Sequence, residues 1–180
     1  DIFQKEIFPY IVEFLKDYYC GGYIKSEEDL DSFETFLLSP KSEFCFSFDF
    51  SPEWIDCICY RGFFPMADSL KHHNERAVLK LTEAHFSKKL SKYCDNLDFS
   101  IDTDFEGCIQ CLLETHNNTW LTPSLLESFR QIHNNTPTKY GTKIHTVEIW
   151  DRNTNELVAG ELGYRNGLLY TSLSGFRKRK

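Results

Sequence analysis

Cysteine pairs, histidines and strand-borne carboxylates are the side chains of this sequence that could do chemistry. Cys57/Cys59 and Cys108-x-x-Cys111 have spacings that invite a metal. A structural zinc site wants four ligands, and no histidine or third cysteine stands at finger-like spacing from either pair. Both pairs sit in helical patterning, and the total of seven cysteines is odd. They read as buried free thiols of a reducing compartment. His72-His73 is an adjacent pair, which seldom chelates one ion, and reads as part of a solvated loop. His133 and His145 flank the connection into a sheet and read as structural histidines. Glu148 alternates with Val147 and Ile149, so on a strand it faces away from them, toward solvent or into a cleft. No nucleophile triad is apparent, and no Gly-rich pyrophosphate loop lies between a strand and a helix.

The chain of 180 residues is 41% hydrophobic and 16% aromatic, which is ordinary for a folded domain and excludes a disordered one. No run approaches the roughly 18 apolar residues of a membrane span. Asp1 to Glu6 lacks the basic and apolar regions of a secretory signal. The net charge of −7 argues against wrapping nucleic acid, because phosphate binding leans on Lys and Arg. The charge is uneven, however. Lys88, Lys89 and Lys92 form one basic patch and the run Arg177, Lys178, Arg179, Lys180 another, compatible with holding one short piece of RNA.

Periodicity supplies the elements that would position these groups. Residues 3–20 read as an amphipathic helix ended by Gly21-Gly22, and 29–38 as a short helix. Residues 43–50 carry phenylalanine at every second position, the period of a strand with one buried face. Ser51-Pro52-Glu53 opens a helix, and Gly62 stops it before the apolar elbow Phe63-Phe64-Pro65-Met66. Residues 68–75 read as a loop, 76–79 as a short strand and 82–93 as a basic helix. Helices follow over 102–116 and from the Thr122-Pro123 cap to about His133. Strands 144–151, 157–164 and 168–174, with Asn166-Gly167 as a hairpin turn, make a three-stranded antiparallel meander.

Two blocks carry a family resemblance. The first runs from Phe50-Ser51-Pro52-Glu53-Trp54 through Tyr60-Arg61-Gly62-Phe63-Phe64-Pro65-Met66. The second starts near Asp102 and passes Thr119-Trp120-Leu121-Thr122-Pro123 to His133. It resumes at His145-Thr146-Val147-Glu148-Ile149-Trp150, then Leu157-Val158-Ala159-Gly160, and ends at Tyr170 to Phe176. In order, these resemble the G-[IF]-F-P-[WM], T-W-[IL]-T-P, H-[ST]-V-E-[VI]-W and L-V-[GA]-G stretches of leucyl/phenylalanyl-tRNA–protein transferases, as a divergent branch.

The resemblance implies an α+β protein. A small N-terminal α/β region (1–95) would join a partial acetyltransferase-like domain (96–180), a mixed sheet with flanking helices that stops before the family's domain is complete. It implies transfer of an apolar amino acid from aminoacyl-tRNA to the N-terminal amine of an acceptor protein, marking that protein for degradation. Neither metal nor cofactor is expected, and the setting is a cytoplasmic monomer. Non-catalytic binding of aminoacyl-tRNA or protein N-termini, and acyl-CoA-dependent N-acetylation, are the alternatives. By the same resemblance Phe63, Phe64 and Met66 support the tRNA's terminal adenosine, with Met66 where bacterial members typically carry tryptophan. Trp120 packs beneath the active site or contacts substrate. Glu148, Glu161 and Ser172 are the catalytic candidates, and Tyr170, Ser174 and Phe176 line the substrate. Lys88, Lys89, Lys92, Arg177 and Lys178 meet the tRNA backbone. Glu161 stands where the bacterial pattern is apolar, and Leu173 where it has the glutamate of G-E-S-M-F. That polarity swap points to a rearranged pocket.

Overall fold

The computed structural model describes residues 9–11, 13, 22–67 except 37–43, 69–72, 75–90, 94–116 and 120–178, with the backbone alone for 32–36. Most of the helix expected over 3–20 lies outside the described residues. The chain divides into two compact units. One comprises 1–76, 120–128 and 138–140; the other comprises 77–119, 129–137 and 141–180.

In the first unit, helix α1 (Glu27–Phe36) precedes strand β1 (Phe44–Phe46), helix α2 (Pro52–Tyr60) and strands β2 (Phe64–Met66) and β3 (Ser69–Lys71). The start of α2 follows from its sequence: Ser51 Oγ accepts from Trp54 N at 3.3 Å, and Pro52 fills a position whose N–H has no helical partner. Trp54, Ile55, Ile58 and Cys59 are buried, and Trp54 Nε1 donates to Ser47 Oγ at 2.9 Å. Gly62, at φ +84°, supplies the exit from the helix. The sheet order is β1-β3-β2, all antiparallel. Its middle strand, β3, falls where a loop was expected, because Leu70 is buried and pairs with both Cys45 and Pro65.

The second unit is a four-stranded antiparallel sheet, order β4-β5-β6-β7, with strands β4 (Leu97–Ile101), β5 (Lys143–Asp151), β6 (Glu156–Asn166) and β7 (Leu169–Arg177). Helix α3 (Phe105–Thr115) packs on β5, β6 and β7. Helix α4 (Pro123–His133), counted with the first unit up to Ser128 and with the second from Phe129, starts at the expected cap, with Thr122 Oγ1 accepting from Leu125 N at 3.4 Å. Gly160 lets α3 approach the sheet, since a Cβ there would stand 3.2 Å from Cys108 Sγ and 2.8 Å from the Phe176 ring.

Three expectations are corrected here. The sheet has a fourth strand, β4, whose Leu97, Phe99 and Ile101 alternate with Asp98 and Ser100. Residues 76–79 form no strand and 82–89 no α-helix, only the 3₁₀ turn Leu81–Glu83. Val78, Leu79, Leu81 and Phe86 are all exposed, so the apolar stripe has no surface to pack on, and packing is what stabilises a short helix. The last hairpin turns at Gly167-Leu168, because Asn166 is still paired, with Leu169. Among the described residues no helix is long and apolar enough to cross a membrane.

Candidate active site

The sheet of the second unit has two unlike faces. Ile144, Thr146 and Glu148 of β5, Leu162 and Tyr164 of β6 and Phe176 of β7 are buried on the α3 side. The residues between them point the other way and lie in register. One row joins Ile149, Ala159 and Arg177; the next joins Val147, Glu161 and Gly175; the third joins His145, Gly163 and Ser172. A hollow of about 440 Å³ is lined by Val147, Ile149, Ala159, Glu161 and Gly175 of this face, and also by Thr115 of α3 and Phe176. That volume is in the range of small-molecule sites.

A bulge in β7 decides what reaches this face. Leu162 pairs with Ser174 but Gly163 pairs with Ser172, so Leu173 is the extra residue. Strict alternation from Phe176 would send Ser172 to the α3 side. The bulge turns Ser172 and Tyr170 toward Glu161 instead. Ser172 Oγ donates to Glu161 Oε2 at 3.0 Å. The Tyr170 hydroxyl also bonds to Glu161; burial first, then the Glu161 charge and this bond, push the phenol well above its ordinary value. Tyr170 therefore stays a neutral donor on a carboxylate. Its ring lies across Gly163, where a Cβ would stand 2.3 Å from the hydroxyl.

Glu148 is placed elsewhere. Its side chain is 0% exposed and accepts from Ser100 Oγ and Thr146 Oγ1 at 2.6 Å each, from Thr103 N at 3.2 Å and from Asp104 N at 3.4 Å. Trp150 Nε1 donates to Ser100 Oγ at 2.8 Å, extending the network. The carboxylate thus ties β4 and β5 to the positive end of α3.

The structure brings Glu161, Ser172 and Tyr170 together. Arg177 and Phe176 line the same hollow, Phe176 from the α3 side of the sheet, while Ser174 belongs to the α3 face alone. Lys88, Lys89 and Lys178 are exposed, and Lys92 lies outside the described residues. Phe63, Phe64, Met66 and Trp120 belong to the first unit. There Phe63 is fully buried, Phe64 is half-buried with the Arg76 guanidinium 4.4 Å from its ring centre, and Met66 and Trp120 are half-buried. Burial raises the thiols of Cys45 and Cys108 to about 12 and of Cys57 to about 11, marking them as neutral packing groups. The sequence reading missed Asp102. It ends β4 at φ +56° and accepts from Thr146 N at 2.8 Å and from His145 Nδ1 at 2.6 Å. The residue pattern offered one signal, an aspartate between a strand and a capped helix.

Fold and site together define an α+β protein with a ligand-sized hollow on an antiparallel sheet. The sequence profile of the leucyl/phenylalanyl-tRNA protein transferase family matches residues 78–180, and the chain belongs to that family. It is similar to the leucyl/phenylalanyl-tRNA–protein transferase of Pectobacterium atrosepticum, at 33% identity over 58% of this chain and 43% of the relative. The enzyme of that name from Hyphomonas neptunium is 30% identical over 72% of this chain and 52% of the relative. That from Solidesulfovibrio magneticus is 27% identical over 66% and 49%. The chain thus spans about half the length of the curated relatives it matches.

Proposed function

We propose that the protein transfers an apolar amino acid of the leucine, phenylalanine or methionine type from aminoacyl-tRNA to the N-terminal amine of an acceptor protein, marking it for degradation. The observation that carries this reading is the Glu161 carboxylate, held by Ser172 and Tyr170 beside the apolar floor of Val147, Ile149 and Ala159. An aminoacyl group with a free α-ammonium and an apolar side chain presents the complementary pair of surfaces. The ester of aminoacyl-tRNA is already activated, so holding it against an amine supplies most of the catalysis, and no cofactor is called for.

In this reading Glu161, Ser172 and Tyr170 receive the donor, Glu148 braces the sheet against α3, and Arg177, Lys178, Lys88, Lys89 and Lys92 meet phosphates. Phe63, Phe64 and Met66 take the terminal adenosine, and Trp120 supports substrate. The wider frame is an acetyltransferase-like domain over 96–180 preceded by an α/β region over 1–95, in a cytoplasmic monomer. Glu161 in place of an apolar residue favours a donor or acceptor preference unlike Leu/Phe onto Arg/Lys. The test is transfer by the full-length protein from each charged tRNA to a panel of N-terminal peptides. Transfer of an apolar residue with a raised KM in Glu161→Gln is expected; no transfer from any charged tRNA would overturn the reading.

A further inference from the structure

Aminolysis of an ester leaves one proton to be moved. The attacking nitrogen becomes positively charged as the C–N bond forms, and the leaving hydroxyl needs a proton as the C–O bond breaks. A group with a free lone pair beside the hollow would serve both steps. The third row of the face that carries Glu161 provides one.

His145 lies opposite Gly163, one row from Glu161, with its side chain 25% exposed. Its Nδ1 is 2.6 Å from Asp102 Oδ2, and an ionised carboxylate only accepts, so Nδ1 carries the ring proton. Among the described residues nothing is bonded to Nε2, which is left as a lone-pair acceptor. The aspartate is itself fixed twice. Its other oxygen accepts from Thr146 N at 2.8 Å, and its backbone N–H donates to Thr146 O at 3.1 Å, so the ring is oriented by a rigid strand end. Asp102 is also a non-glycine residue at φ +56°, an uncommon conformation that is worth its cost where a side chain must be aimed. His133 makes the contrast clear. Its Nδ1 donates to Ile144 O at 3.1 Å and its ring stacks on Phe105 at 4.1 Å, which accounts for it as a packing group.

We propose, resting on the transferase reading above, that the Asp102–His145 pair takes the proton from the attacking acceptor amine at His145 Nε2 and returns it to the leaving ribose oxygen. The C–N bond forms, the C–O ester bond breaks, and the proton passes from nitrogen through the imidazole to the tRNA hydroxyl, with no other reactant. Asp102 is the positioning residue, fixing the tautomer and steadying the imidazolium that forms in between. The ionisable groups facing the ring are Asp102 before α3, His133 of α4, Lys143 of β5, Glu161 and Arg165 of β6 and Tyr170 of β7.

The test is steady-state transfer by the full-length protein across pH, with thermal unfolding in parallel. His145→Gln should lower kcat by about 10²-fold, the lower end for a positioned general base, and flatten the acidic limb of the profile. Its KM for charged tRNA should stay within about twofold, since a group acting only in the transition state leaves ground-state binding alone. Added imidazole should restore part of the rate of His145→Ala. Asp102→Asn should fall between, because its amide N–H would face Nδ1 and favour the tautomer with Nε2 protonated. A folded His145→Gln with the wild-type kcat and pH profile overturns the proposal, as does a folded His145→Ala deaf to imidazole. A wild-type protein that transfers nothing defeats the transferase reading, and this step with it.

Discussion

Replacing Gly163 by alanine tests the geometry of the Glu161 face without removing a polar group. The added Cβ would stand 2.3 Å from Tyr170 Oη, 2.5 Å from its Cζ and 2.6 Å from Thr171 O. Real Cβ atoms do not come so close, so something must move. Tyr170 is 40% exposed and can swing outward, whereas Thr171 O belongs to the β7 backbone. The cost therefore has two parts. One is relieved by removing the ring, and the other is a strained β6–β7 ladder. Overpacking of this kind costs about 1–3 kcal/mol. At about 2 kcal/mol, a protein of this size should lose about 4–8 °C in melting temperature. In a Tyr170→Ala background the same Gly163→Ala change should cost clearly less but not nothing, because the Thr171 contact remains. Urea unfolding of the four proteins gives that coupling directly. Gly163→Ala should also loosen Glu161 from Tyr170 and weaken donor binding. Wild-type stability in Gly163→Ala, or equal costs in both backgrounds, would refute the placement of the tyrosine ring over this glycine.

Three further outcomes follow from the same structure. Glu148→Ala strands two hydroxyls and two backbone N–H groups and should destabilise by about 3 kcal/mol; Glu148→Gln, which keeps one acceptor, should cost clearly less, and equal losses in denaturant melts would contradict the network. Among the described cysteines, Cys94 is exposed and should be alkylated first at pH 8. Cys45 and Cys108, with thiols at about 12, would hold a thiolate fraction on the order of 10⁻⁴ there, so early modification of either by mass spectrometry would count against their burial. The Lys139 hydrogen bond, followed by that of Tyr140, lowers the Glu27 carboxyl from its ordinary 4.5. A depressed carboxyl stabilises the fold above its unfolded pKa and ceases to as pH falls through the folded one. Glu27→Gln should therefore be less stable than wild type at pH 7 and equal to it in strong acid, with a persistent gap in acid melts as the contrary result.

What the sequence disclosed depended on whether a residue's neighbours were local. Ser51-Pro52 and Thr122-Pro123 announced their helices because a cap is decided within four residues. The alternation of β5 and β6 was equally legible. Strand β4 carries the same period-2 signal in Leu97, Phe99 and Ile101, but its acidic surroundings masked it. The amphipathic stretch 82–93 misled over 82–89 for the opposite reason, while Leu90 and Cys94 are helical. Its pattern was real, yet Leu81 and Phe86 remain exposed, and no local rule says whether a stripe finds a surface. Of the candidate site, Glu161, Ser172 and Tyr170 were named from family resemblance, while their bonding depends on the Leu173 bulge, a pairing property that one strand cannot announce by itself.

The loop between β4 and α3 shows how closely the fold and the proposed chemistry are joined. Asp102 closes the β4–β5 ladder and grips His145, Thr103 N and Asp104 N bind Glu148, and the Asp104 side chain caps α3 through Gly107 N at 3.0 Å. Three consecutive residues thus serve both faces of the sheet. Asp102 works on the His145 side, Asp104 on the α3 side, and the positive φ of Asp102 is the turn that separates them. A change that relaxed this turn would unseat the His145 ring and the start of α3 together. Activity and stability should therefore fall in parallel for substitutions at Asp102 that disturb the backbone, and separate for His145→Gln, which leaves the loop intact. Parallel loss in His145→Gln would place that histidine with the scaffold rather than with the reaction.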